Sequence, residues 1–145
     1  MPERPVPHPL AFRAVLASLG LLQTMNGVWA LFFPRSFYDD FPAGRGGWVS
    51  ALPEYNEHLL TDVGALFLAT GLLMLAAAVL LGRTLVWIAL VSWLLWAVPH
   101  AVWHLGELEP YDTTDAVGNV VSVTLIVLAP LALVALLARA GRPAA

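Results

Sequence analysis

Residues 63–106 read VGALFLATGLLMLAAAVLLG, then Arg83, then TLVWIALVSWLLWAVPHAVWHLG, and this stretch decides the fold. Two uncharged apolar runs of about 20 residues, separated by a single arginine, are each long enough to cross a bilayer, which takes roughly 20 residues of helix. The connection Leu81-Gly82-Arg83-Thr84 is so short that the two helices form an antiparallel hairpin. Working outward, a third run spans Ala14 to Phe33 and a fourth Ala116 to Ala138. A single buried soluble core would account for one such run but not four. Only 12% of the residues are charged, against about a quarter in soluble domains. The four runs leave no length for a separate soluble domain.

The expected fold is therefore all-α: one integral membrane domain over residues 1–145, an up-down-up-down four-helix bundle. Its spans are expected at about 11–33, 59–81, 84–105 and 115–138, with the loop 34–57 as an interfacial cap. Arg4, Arg13, Arg83, Arg139 and Arg142 fall on one side of such a bundle, and Arg35 and Arg45 on the other. Positive side chains near span ends favour the cytoplasmic side, so both termini are expected in the cytoplasm. The first span is too long for a signal-peptide core and ends in Phe32-Phe33-Pro34 without a small-residue cleavage site, which reads as an uncleaved helix. The expected location is a cell membrane, crossed several times, with the bilayer itself as the first partner.

Of the acids, only Glu3 lies inside. Asp39, Asp40, Glu54, Glu57, Glu107, Glu109, Asp112 and Asp115 belong to the outer loops or their edges, and Asp62 lies just within the second span. That surface favours cations, although acids also serve simply to keep loops soluble. There is no cysteine, which removes disulfides and thiolate metal sites. There is no basic patch or motif for nucleic acid.

Gly20 and Gly27 are seven residues apart, as are Gly64 and Gly71, so each pair shares a helical face. Small residues let helix backbones approach in lipid, and these four are expected to make the contact between the first two spans. The loop after the first span is rich in aromatic residues: Phe37, Tyr38, Phe41 and Trp48, with turns at Gly44, Gly46 and Gly47. It reads as a short interfacial helix followed by a turn, either anchoring in the headgroup layer or closing as a lid over a site. Trp87 and Trp103 fit the two interfaces. Pro99 and Pro130 each remove a backbone bond and are expected to kink their helices.

Ionisable residues inside membrane segments are costly and mark functional sites. His58 and Asp62 are four apart, as are His100 and His104, while Asp115, Asn119 and Ser122 follow i, i+4, i+7. Each set makes one stripe on its helix, all three at the outer end. If the stripes face inward they converge, and His58, Asp62, His100 and His104 are the expected metal ligands. Glu57, Glu107, Asp115, Asn119 and Asn26 are the expected surrounding groups. Imidazole and carboxylate suit a divalent transition metal such as Zn, Fe, Mn or Ni, and bundles build such sites from facing helices. Haem, clasped by His58 opposite His100 or His104, is the competing cofactor. The bland alternative has Asp62 pairing with His100 across the hairpin, Asp115 serving the helix start, and Asn26 making an interhelical bond worth on the order of 1 kcal/mol.

The segment Gly27-Val28-Trp29-Ala30-Leu31-Phe32-Phe33-Pro34-Arg35-Ser36-Phe37, with Phe41-Pro42 after it, is similar to the end of the first helix in DoxX-like proteins, small bacterial membrane proteins of four helices. The match is the Pro-x-x-Phe arrangement followed by a second proline, and the histidines that often precede it there have no counterpart here. The resemblance implies the architecture and a bacterial inner membrane; that family has no single activity to carry over. The Ala-, Leu- and Arg-rich, lysine-free composition also suits a high-GC bacterium. Two functions follow as expectations. One is a metal-binding membrane protein, whose catalytic form would be a metal-dependent enzyme acting on a small or lipid-like molecule. The other is a non-catalytic accessory or assembly subunit, in a homo-oligomer or beside a membrane partner, whose polar residues fix helix packing.

Overall fold

A computed structural model of the chain describes residues 5–42, 44 and 46–141. Glu3, Arg4, Arg45 and Arg142, counted above for orientation, lie outside the described residues. The elements in chain order are α1 (Pro9–Phe32), α2 (Pro34–Asp40), α3 (Glu57–Leu80), α4 (Arg83–Gly106) and α5 (Thr113–Ala140). The four long helices fall within two residues of the expected spans at every end, and each is long and apolar enough to cross a membrane. A 24-residue helix is about 36 Å long, more than the roughly 30 Å hydrocarbon core. The chain is a multi-pass membrane protein with both ends of the bundle's chain on the same side.

Local chemistry sets the ends. Pro9 and Pro34 occupy first-turn positions of α1 and α2, where a missing N–H costs nothing. Asn56 caps α3 by accepting from the Leu59 N–H at 3.0 Å, and Asp112 caps α5 by accepting from the Asp115 N–H at 2.8 Å. Leu81 adopts a left-handed conformation after α3, and Gly82 leads straight into α4, which makes the expected hairpin.

Around the bundle α1 packs on α3, α3 on α4, α4 on α5, and α5 on α1, with no close backbone approach across either diagonal among the described residues. The α1–α3 contact is the most extensive, and it is the glycine seam read from the sequence. A methyl placed on Gly27 would lie 2.5 Å from the Leu68 backbone nitrogen, and one on Gly64 would strike the Leu31 nitrogen. The outward surface is apolar, with Leu95 74% and Val79 68% exposed, as lipid contact requires. The inner half is filled by Phe12, Leu16, Met74, Val86, Leu90, Trp93, Leu133 and Leu137.

In hydrocarbon every backbone polar group needs a partner, and the breaks in the helices are met individually. Pro130 cannot donate to the Ile126 carbonyl, and the indole N–H of buried Trp93 donates to that oxygen instead, at 2.8 Å. At the inner end Arg13 donates to the Ala78 and Val79 carbonyls at 2.7 and 2.8 Å, in the last turn of α3. Arg83 does the same for the Leu137 carbonyl near the end of α5. Each guanidinium closes orphan carbonyls and sits at the negative end of a helix dipole. The end bearing α2 and both long loops is thus the outer end in the orientation that the arginines favour.

Gly64→Ala pushes a methyl into the α1 backbone and is expected to cost about 1–3 kcal/mol, whereas Gly106→Ala, with open space around it, should stay within about 0.5 kcal/mol of wild type. Reversible unfolding in mixed detergent micelles, followed by circular dichroism, measures both.

Candidate functional site

The rotation of each helix decides which polar residues meet. On α3 the buried stripe runs through Leu60, Gly64 and Gly71. His58 and Asp62 flank Leu60 two residues either way, about 200° round the helix from it, and therefore point out. The His58 ring nitrogen lies 3.4 Å from the Asp62 carboxylate, with the two side chains 88% and 61% exposed. They form a surface pair on their own helix. Among the described residues no three His, Asp or Glu side chains are grouped as metal ligands, so the four-residue set is not assembled in this arrangement. The glycine seam is the reason: it turns the His58 stripe away from α4. Glu57 and Glu107 are exposed at helix ends, Ser122 faces outward, and Asn26 is half-buried. Asp115 is half-buried, and its backbone N–H is the group that Asp112 caps.

On α4 both histidines are partly buried, and on α5 Asn119 alone of its stripe is fully buried. The His100 ring stacks on Trp96, with centroids 4.9 Å apart and planes at 24°. His104 follows at 4.3 Å from His100 and meets Trp103 edge-on at 5.1 Å. Across the helix boundary, His104 Nδ1 lies 3.4 Å from the amide nitrogen of Asn119. Asn119 is only 2% exposed, and its Oδ1 has no hydrogen-bond partner. A buried acceptor left unmade costs about 1–3 kcal/mol, so this oxygen is the atom of the cluster with capacity for a further partner.

The outer loop reaches this cluster. The Tyr111 hydroxyl donates to the Trp48 carbonyl at 2.6 Å, tying the α4–α5 loop to the α2–α3 loop. The Trp48 ring lies on Gly118, next to Asn119: a methyl at Gly118 would be 2.9 Å from the indole. Behind it, Phe41 meets Trp48 edge-on at 6.0 Å, and Phe41 in turn packs on Phe37 and Trp29. The Trp48 indole nitrogen is buried without a partner.

Three further residues stand outside the stripes expected from the sequence. Gln23 is 4% exposed, with an unpartnered amide nitrogen. It lies about 13 Å below the outer end of α1, nine residues from Phe32. It was legible as a polar residue inside a span. Gly118 shows itself only as a small residue beside Asn119, and Trp96 only as one tryptophan of several; their roles arise from contacts between distant segments.

Comparison with protein families, with characterised proteins and with solved structures finds no match to this chain. Fold and site together define a multi-pass α-helical membrane protein with a part-buried His–His–Asn cluster at one end, beside which Trp48 packs on Gly118.

Burial, with the Asp115 charge adding to it, pushes the Tyr111 phenol up to about 12. A raised folded pKa means the unfolded chain loses its proton first, so the contribution of Tyr111 is complete below pH 10 and falls away between about 10 and about 12. Tyr111→Phe should lose about 1 kcal/mol at neutral pH and show a shallower alkaline decline than wild type. Unfolding followed across pH, together with phenolate absorbance, checks both.

Proposed function

We propose that the protein binds a divalent transition-metal ion at the outer end of its bundle, through His100, His104 and Asn119. The observation that carries this is the buried Asn119 amide, whose nitrogen faces His104 and whose oxygen has no partner, next to the touching imidazoles of His104 and His100. Imidazole nitrogens with an amide oxygen form the mixed N/O donor set that suits Zn, Fe, Mn or Ni. Two histidines four apart on one helix sit on the same side of a shared ion, which favours an ion over a haem gripped from opposite faces. Asp115, one turn before Asn119 on α5, supplies negative charge near the site. Trp48 packs on Gly118 beside Asn119 and is tied to Tyr111, and the surrounding apolar helix surface suits a small or lipid-like molecule. A bacterial inner membrane is the setting that the DoxX-like segment and the composition support.

A second reading, a non-catalytic accessory or assembly subunit, draws on the same contact: His104 and Asn119 join α4 to α5.

Elemental analysis of the purified protein after zinc loading and desalting separates the two. The metal reading expects one ion per chain, lost in His100→Ala and in His104→Ala, weakened in Asn119→Leu, and kept in His58→Ala. A metal-free wild type, with the α4 and α5 variants merely less stable, supports the accessory reading. Loss of the ion in His58→Ala would restore the four-residue site.

A further inference from the structure

Beside the outer end of α1 runs a groove of about 540 Å3, whose walls include Phe33, Arg35, Asp39, Tyr55 and Glu57. Phe32 and Phe33, both more than 60% exposed, end the apolar span at its mouth. The groove therefore opens at the depth where hydrocarbon gives way to headgroups. Its one cation is held in a fixed pose. Arg35 Nε donates to Asp39 at 2.7 Å, and the guanidinium carbon lies 5.6 Å from the Tyr38 ring centroid and 4.9 Å from that of Tyr55. Tyr38 is fixed in turn, its hydroxyl donating to the Pro53 carbonyl at 2.8 Å. Among the described residues the terminal nitrogens of Arg35 make no hydrogen bond, and the Glu57 carboxylate accepts one long bond, from the Tyr55 hydroxyl at 3.4 Å.

We infer that this groove binds the headgroup of a zwitterionic aminophospholipid, a phosphatidylethanolamine. Its phosphate meets the free guanidinium nitrogens of Arg35, in the bidentate geometry that arginine offers phosphate. Its primary ammonium meets Glu57 and Asp39, and its acyl chains lie along Phe32 and Phe33. Three features select this class. The groove carries one positive and two negative side chains, which disfavours a lipid of net negative charge. A choline headgroup has no N–H to give the carboxylates and would need an aromatic face. Arg35 already stands over one face of each tyrosine, which leaves a choline less aromatic surface in this groove.

The test is native mass spectrometry of the full chain in detergent with equimolar phosphatidylethanolamine, phosphatidylcholine and phosphatidylglycerol. Several-fold more ethanolamine-lipid adduct than either competitor is expected. Arg35→Gln and Glu57→Gln should each bring it down to the phosphatidylcholine level with helicity by circular dichroism unchanged, and His58→Ala should leave it intact. Equal retention of all three lipids, enrichment of phosphatidylglycerol, or a preference that survives both Arg35→Gln and Glu57→Gln would overturn the site. Displacement by soluble glycerophosphoethanolamine at the same concentration would overturn its assignment to a membrane lipid.

Discussion

At Gly27 and Gly64 the backbones of α1 and α3 come so close that neither position has room for a methyl group. Lipid tails are as apolar as leucine, so no hydrophobic drive holds helices together within the bilayer; close packing does. This seam does more than join two helices. It fixes how α3 is turned about its own axis, and so which of its polar residues face the bundle and which face out. His58 and Asp62 lie on the outward side for that reason. α2 is seated over the outer ends of the same pair, with Phe37 buried beneath it, so the seam also positions the loop that carries Trp48.

The other pair, α4 and α5, is joined by side chains rather than by bare backbone. Trp93 serves the carbonyl that Pro130 leaves open, and near the outer end His104 faces Asn119. Arg13 and Arg83 close the inner ends of α3 and α5 in the same manner. These are answers to one constraint, that an orphan polar group inside hydrocarbon is expensive. The exceptions then become informative. Among the described residues Asn119, Gln23, Thr24 and Trp48 each keep a buried polar atom without a partner, and all four belong to the outer part of the bundle or its middle.

The spans, the hairpin and the seam were legible in the sequence because each follows from spacing along one helix: run length, a four-residue turn, glycines at a seven-residue interval. The polar stripes were legible too, for His100 with His104 and for Asp115 with Asn119. What spacing leaves free is rotation. A stripe on α3 is equally regular whether it faces in or out, and the expectation that His58 and Asp62 join the α4 histidines assumed the inward choice. Trp48 on Gly118 and Tyr111 on the Trp48 carbonyl were illegible for a different reason. Each joins segments some 60 to 70 residues apart, and no local pattern encodes such a contact.

The functional reading rests on the cluster that survives this sorting: two imidazoles and one buried amide, with Trp48 on the neighbouring Gly118, at the end of the bundle where the acids also gather. The chain has four histidines, His8, His58, His100 and His104, and a metal at the cluster would touch only two of them. Nitrogen NMR of histidine-labelled protein, titrated with zinc to one equivalent, reads all four at once. The account predicts that the ring resonances of His100 and His104 shift together while those of His8 and His58 stay in place. Movement of His58 with them, or no movement in any of the four, would contradict it.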